Sequence, residues 1–201
     1  MTFKQLFYDW NGLNVASFEA INHATPDWLA PLARIGSALG SYWGGPFLLI
    51  ALLFWSWYLN AANQPATSAL VVRNQAQRFA LGFLLTWLAV ALLKLLANFT
   101  RPLVVLPGTV RIIGEPELQY SFPSGHAAYA MLIAVTLWPL VKRRFRAVLA
   151  VWLVWVGWSR IAVGAHFPAD VFAGFLIGGI LAGAGRFASK RRWVFGDGPR
   201  R

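Results

Sequence analysis

The chain has 201 residues, 58% of them hydrophobic and only 12% charged, with a mean hydropathy of +0.54 and a formal charge of +11. A water-soluble domain carries about twice that charged fraction, so the composition excludes an ordinary soluble globule and fits a single domain dissolved in a bilayer. The chain holds no cysteine, which excludes disulfide, iron–sulfur and thiolate-metal chemistry.

The first 22 residues do not form a secretory signal: Asp9 and Glu19 interrupt any apolar core. Residues 13–21 and 28–39 read as amphipathic helices too short to cross, lying at the membrane interface. Five apolar spans follow, at 42–60 (with Pro46 near its start), 79–99, 126–141, 147–163 and 168–188. A crossing helix needs about 20 apolar residues, so the third and fourth spans end within the headgroup zone. Between them lie a polar connection at 60–77, a long loop at 101–122 punctuated by Pro102, Pro107 and Pro116, and a tight basic turn at 142–146. Residues 186–201 form a basic tail. The pairs Gly174/Gly178 and Gly179/Gly183 have the small-xxx-small spacing of close helix packing, here read as packing within the fold. Trp43, Trp57 and Trp158 read as interfacial anchors. The expected fold is all-α: a polytopic membrane helical bundle of about five transmembrane helices plus N-terminal interfacial amphipathic helices. One domain covers 1–190, its first 41 residues interfacial, and 191–201 is a basic cytoplasmic tail.

An odd number of spans sorts the charges onto two faces. One face collects twelve basic residues, from Arg73 and Arg78 through the 142–146 turn to the tail, against Asp197 alone. The other carries six basic residues (Lys4, Arg34, Lys94, Arg101, Arg111, Arg160) and six acidic ones. The whole positive excess therefore lies on one side, which the positive-inside rule makes cytoplasmic. The charge reads as topology and contact with anionic lipid, and nucleic acid is excluded as a partner because no basic module with base-reading elements is left over.

The neutral face gathers the residues that carry chemistry. Lys94 ends the second span and Arg101 follows it; Pro123-Ser124-Gly125-His126 leads into the third; Ser159-Arg160 closes the fourth; His166 and Asp170 flank the start of the fifth. Phosphoryl transfer is catalysed mostly by positioning and charge stabilisation, and Lys94, Arg101 and Arg160 supply three cations, the arginines with bidentate geometry. Ser124 and Gly125 stand at a helix N-terminus, where backbone N–H groups and the serine hydroxyl bind oxyanions and glycine lets the backbone approach. His166 has Asp170 four residues on, with Pro168 at the first helical position. A carboxylate on one ring nitrogen leaves the other to attack phosphorus, while His126 protonates the leaving oxygen and later activates water. A metal site needs three or four ligands, and only His126, His166 and Asp170 converge, so no metal and no cofactor is expected. His23 matches no pattern and reads as a packing residue.

The three parts, Lys94-x6-Arg101-Pro102, Pro123-Ser124-Gly125-His126 and Ser159-Arg160-x5-His166-x3-Asp170, resemble the signature of the type 2 phosphatidic acid phosphatase superfamily at every defined position. The resemblance implies a helical bundle and metal-independent hydrolysis through a phosphohistidine. His166 would be the nucleophile, His126 the acid and base, Asp170 the partner of His166, and Lys94, Arg101, Ser124, Gly125 and Arg160 the phosphate-binding set. Many members have six spans; this chain resembles the short bacterial members associated with undecaprenyl pyrophosphate. The expected activity is removal of phosphate from a membrane lipid phosphate or pyrophosphate at the outer face of a bacterial inner membrane. Undecaprenyl pyrophosphate is the first expected substrate, then phosphatidylglycerol phosphate and phosphatidate. Two alternatives stand beside it: transfer of the phosphate to another lipid, and a non-catalytic lipid-binding or transport protein on the same scaffold. The sequence leaves the oligomeric state open.

Overall fold

The computed structural model describes residues 8–195, with side chains to Ala184; Lys4 and the end of the basic tail lie outside the described residues. Among the described residues seven helices of ten residues or more are joined by turns and loops: α1 Leu13–His23, α2 Ala30–Leu39, α3 Gly44–Ala61, α4 Ala66–Ala97, α5 Gly125–Leu137, α6 Arg143–Ala162 and α7 Pro168–Phe195. Isolated helical turns occur at Trp10–Gly12, Asp27–Leu29 and Pro102–Val105, and no strand occurs among the described residues.

The bundle is apolar on its outside as well as within. On α6, Val148, Val151 and Val154 are exposed at a spacing of three, and on α7, Phe172, Leu176 and Ile180 at a spacing of four, each tracing one helical stripe. Phe47, Phe54 and Trp57 on α3 and Leu84, Leu88 and Leu95 on α4 extend this belt. Water would penalise such a surface and hydrocarbon does not, while the helices satisfy their own backbone groups as lipid requires. α3, α4 and α6 are long and apolar enough to cross a membrane; α5 and the Pro168–Ala184 stretch of α7 are shorter. The 13 residues of α5 span about 20 Å, less than the hydrocarbon thickness. This helix is the bundle's centre, packed by α4, α6 and α7, so neighbouring helices complete the crossing around it.

Small residues make that centre possible. Ala127, Ala128 and Ala130 on α5 are fully buried. A Cβ on Gly174 would lie 2.9 Å from the Ala127 methyl, and one on Gly178 would run into the Ala128 carbonyl. α7 therefore crosses α5 backbone to backbone, as the small-residue spacing predicts. Gly179 and Gly183 take no part: the first sits in ordinary contact with Met131 and the second meets nothing within 4 Å. One core, with Leu52, Phe79, Tyr129 and Leu132, ties α3, α4, α5 and α7 together. A second, with Phe18, Ala127, Ile161 and Phe167, ties α1 to α5, α6 and the start of α7.

Several boundaries differ from the sequence reading. The polar segment before Arg78 belongs to α4, which starts at Ala66 and runs 32 residues, about 48 Å, well beyond the hydrocarbon core. Its arginines, glutamines and alanines are good helix formers, and Gln75 turns into the bundle. α5 stops at Leu137, just before Pro139, which has no N–H to continue the helix's hydrogen bonds. Arg143–Arg146 opens α6 instead of forming a turn, with Arg146 stacked 5.5 Å over Trp138. α7 continues to Phe195, through the first ten residues of the expected tail. Trp43 and Trp57 are exposed as interfacial residues should be, whereas Trp158 packs against the buried cluster of Ala33 and Ala162.

Candidate functional site

The loop ends at one rim of the bundle hold all eight residues singled out in the sequence. Lys94 stands in the last turn of α4, where Asn98 caps the helix in the left-handed conformation, and its Nζ donates to the Tyr120 carbonyl. Arg101 lies in extended backbone ahead of Pro102. Its guanidinium donates to Gln119 O (2.7 Å) and Ala165 O (2.9 Å), approaches His166 Nε2 at 3.1 Å and pairs with Glu117 Oε2 at 2.6 Å. Arg160, in the last turn of α6, pairs with Glu117 Oε1 at 2.7 Å and donates to Ser37 Oγ. The Glu117 carboxylate thus sits between two nearly buried guanidiniums, each holding one of its oxygens.

Gly164, at φ +82°, ends α6 and turns the chain toward α7. A Cβ there would crowd the Arg111 carbonyl at 2.7 Å, so the turn needs glycine. The turn delivers His166, 1% exposed, beside Asp170, fully buried. Arginine only donates, so the contact with Arg101 makes His166 Nε2 the ring's acceptor and leaves the hydrogen on Nδ1. Nδ1 faces Asp170 Oδ2 at 3.4 Å, a long contact. Burial, then the charges of Arg101, Arg160 and Lys94, push the His166 pKa well below 6.5. The ring is therefore neutral at pH 7 and keeps the lone pair that a nucleophile needs.

His126 follows Ser124, the N-cap of α5, and Gly125. The Ser124 N–H donates to the Asp170 carbonyl at 2.9 Å, so this amide braces α7 against α5 instead of serving as the oxyanion donor expected of it. A Cβ on Gly125 would meet only Val90, at 3.6 Å, so protein packing does not demand glycine there. Its side opens on a cavity of about 310 Å³ lined by Lys94, Arg101, Glu117, His126 and His166, with Trp87, Val90 and Ala91 of α4 as an apolar wall. Both imidazoles thus face one space. A second cavity of about 640 Å³ adjoins it across His126 and Glu117, and is lined by Arg160, Arg34, Ser37, Ser41 and Glu115. Ser124 and Asp170 are fully buried. The Ser124 hydroxyl and Arg160 Nε are two of the four buried side-chain polar atoms without a hydrogen-bond partner among the described residues. Buried donors left over at a cationic cradle fit an incoming oxyanion.

Sequence reasoning missed three participants. Glu117 was counted only as a charge on the neutral face. Ser121, just ahead of the Pro123 motif, donates to Asp170 Oδ2 at 2.5 Å. Tyr8 donates to Asp170 Oδ1 at 3.0 Å from 162 positions away, a separation no local pattern reveals. His23 stays apart from the site and meets the Thr109 carbonyl at 2.8 Å.

A lipid-facing helical bundle with two imidazoles on one cavity, a buried carboxylate and three cations at one rim defines an integral membrane protein with a cationic pocket. The family model of the PAP2 superfamily matches residues 75–193, and the chain belongs to that superfamily. Phosphatidylglycerophosphatase B of Escherichia coli (strain K12) is 32% identical over 90 residues, 43% of this chain and 35% of that protein, so the match spans about a third of that relative's length. The putative undecaprenyl-diphosphatase YbjG of the same strain is 31% identical over 178 residues, 85% of this chain and 77% of that one. Among solved structures, Aquifex aeolicus LpxE superposes with a TM-score of 0.71 at 30% identity, covering 87% of this chain and 95% of its own.

Proposed function

We propose that the protein hydrolyses the terminal phosphate of a membrane lipid phosphate or pyrophosphate, without a metal, through a phosphohistidine on His166. The observation that carries this reading is the 310 Å³ cavity: Lys94, Arg101 and both imidazoles meet in it against an apolar wall of Trp87, Val90 and Ala91. A phosphate head fits the cationic end and a hydrocarbon tail fits the wall, where Trp87 is half exposed to the bilayer. Undecaprenyl pyrophosphate is the first substrate proposed, in line with the relative matched over most of the chain. Phosphatidylglycerol phosphate and phosphatidate follow.

In this reading Lys94, Arg101 and Arg160, with the Ser124 hydroxyl, hold the phosphoryl oxygens. His166 Nε2 bonds to phosphorus as the bond to the leaving oxygen breaks, and His126, in the imidazolium form that the bound phosphate anion favours, gives that oxygen its proton. Asp170 faces the Nδ1–H of the resulting cationic ring. His126 then takes a proton from water, the hydroxide oxygen bonds to phosphorus, and the N–P bond breaks to release inorganic phosphate. The test is phosphate release in detergent from a panel of lipid phosphates, with and without EDTA. Release that is unchanged by EDTA is expected. Loss on chelation with recovery on adding a divalent ion would overturn the mechanism, and label arriving in a second lipid would mark a transferase.

The charge asymmetry supports a site on the outer face of a bacterial inner membrane, with the C-terminus in the cytoplasm. A reporter fused after Arg144 is expected to read cytoplasmic and one at Val110 external. The reverse pattern would turn the site to the cytosol.

A further inference from the structure

Asp170 is held by more of the chain than the family match covers. Its Oδ2 accepts from Ser121 Oγ at 2.5 Å and from the Phe167 N–H at 2.9 Å, and its Oδ1 accepts from the Tyr8 hydroxyl at 3.0 Å. The contact with His166 Nδ1, at 3.4 Å, is the longest of the four. His166 therefore does not hold the carboxylate; the other three donors do. Donors on Oδ2 alone would leave the group able to swing about its own bond, and the Tyr8 hydroxyl on Oδ1 fixes its plane.

The tyrosine is itself fixed. Its ring meets Phe99 edge-on, with centroids 4.4 Å apart, and leans on Phe122 and Phe167 at 5.8 and 6.4 Å. Burial, then the neighbouring Asp170 charge, raises its pKa, so the phenol stays protonated and donates. The segment behind it is fastened at both ends of the turn that carries His166. Asn14 Oδ1 accepts from the Ala169 N–H at 2.9 Å, in the first turn of α7, and Asn22 Nδ2 donates to Ala162 O at 3.0 Å, at the end of α6. Tyr8 lies outside the matched residues 75–193.

We propose that Tyr8 is a positioning residue of the reaction: its hydroxyl fixes the Asp170 carboxylate so that the His166 Nδ1–H points to it and Nε2 points to phosphorus. The proposal rests on the phosphohistidine reading above. Its physical content is that an oriented anion counts most when bonding to phosphorus makes the ring cationic. The hydroxyl therefore acts on the transition state and hardly on substrate binding.

The test uses the full chain in detergent and single-turnover transfer from terminally labelled undecaprenyl pyrophosphate or phosphatidate, whichever the wild type turns over. Tyr8→Phe keeps the ring and removes only the hydroxyl. It is expected to slow phosphoryl transfer on the order of tenfold, with KM and the titre of labelled enzyme unchanged. In an Asp170→Asn background Tyr8→Phe should add nothing, because it acts through that carboxylate. An unchanged rate in Tyr8→Phe would overturn the proposal. So would a loss seen only as a lower titre of active enzyme, or a further tenfold loss on top of Asp170→Asn. A wild type that turns over no lipid phosphate would bring down the phosphatase reading and this proposal together; the other outcomes touch the proposal alone.

Discussion

Replacing His166 by alanine is expected to lower lipid-phosphate hydrolysis by about 10⁴-fold or more, the scale seen when a covalent nucleophile is removed. The ring is 1% exposed and sits between Arg101 on Nε2 and Asp170 on Nδ1. The cations remain in the variant, and substrate affinity should change little. The measurement is kcat and KM for released phosphate, with the variant's fold checked by its melting temperature in detergent. A His166→Ala enzyme within tenfold of the wild-type kcat would refute the assigned nucleophile. It would also restore the non-catalytic reading of the scaffold.

His126→Ala should also cost heavily, about 10³-fold, but unevenly between substrates. An alkoxide leaves poorly without a proton, so a phosphomonoester such as phosphatidate should lose the most. The leaving group of a pyrophosphate is itself a phosphate and departs more readily, so formation of the phosphoenzyme should survive better there. Its breakdown still needs His126 to activate water. With a pyrophosphate substrate the variant is therefore expected to accumulate phosphoenzyme after one turnover. Equal losses on both substrates with no accumulation would show that His126 only binds, as its place on the wall shared by the two cavities would also allow.

Much of this was legible beforehand because the strongest signals are local. Each of the three motif parts occupies a helix end, where an N-cap serine, a Pro168 at the first helical position or a terminal lysine leaves a mark in a few adjacent residues. The five apolar spans read as helices for the same reason, and Gly174 and Gly178 announced close packing within the fold, which α7 makes on α5. The errors fall where composition and conformation part company. Residues 66–78 are polar yet helical, because leaving the hydrocarbon does not oblige a helix to stop. The 142–146 run is basic yet begins α6. The Ser124 amide was assigned to the substrate on the strength of its position at a helix start, and tertiary packing claimed it for the Asp170 carbonyl instead. Tyr8 and Glu117 were invisible as site residues: one lies beyond any sequence window, and the other looks like ordinary loop charge until two arginines close on it.

The most direct measurement is the chemistry of the trapped intermediate. Wild-type protein quenched during turnover of a terminally labelled lipid phosphate should carry label that is stable to alkali and labile to acid, and peptide mass spectrometry should place it on the imidazole at position 166. Label on a serine, an aspartate or the ring at position 126, or steady turnover with no labelled protein at any time, would contradict the account.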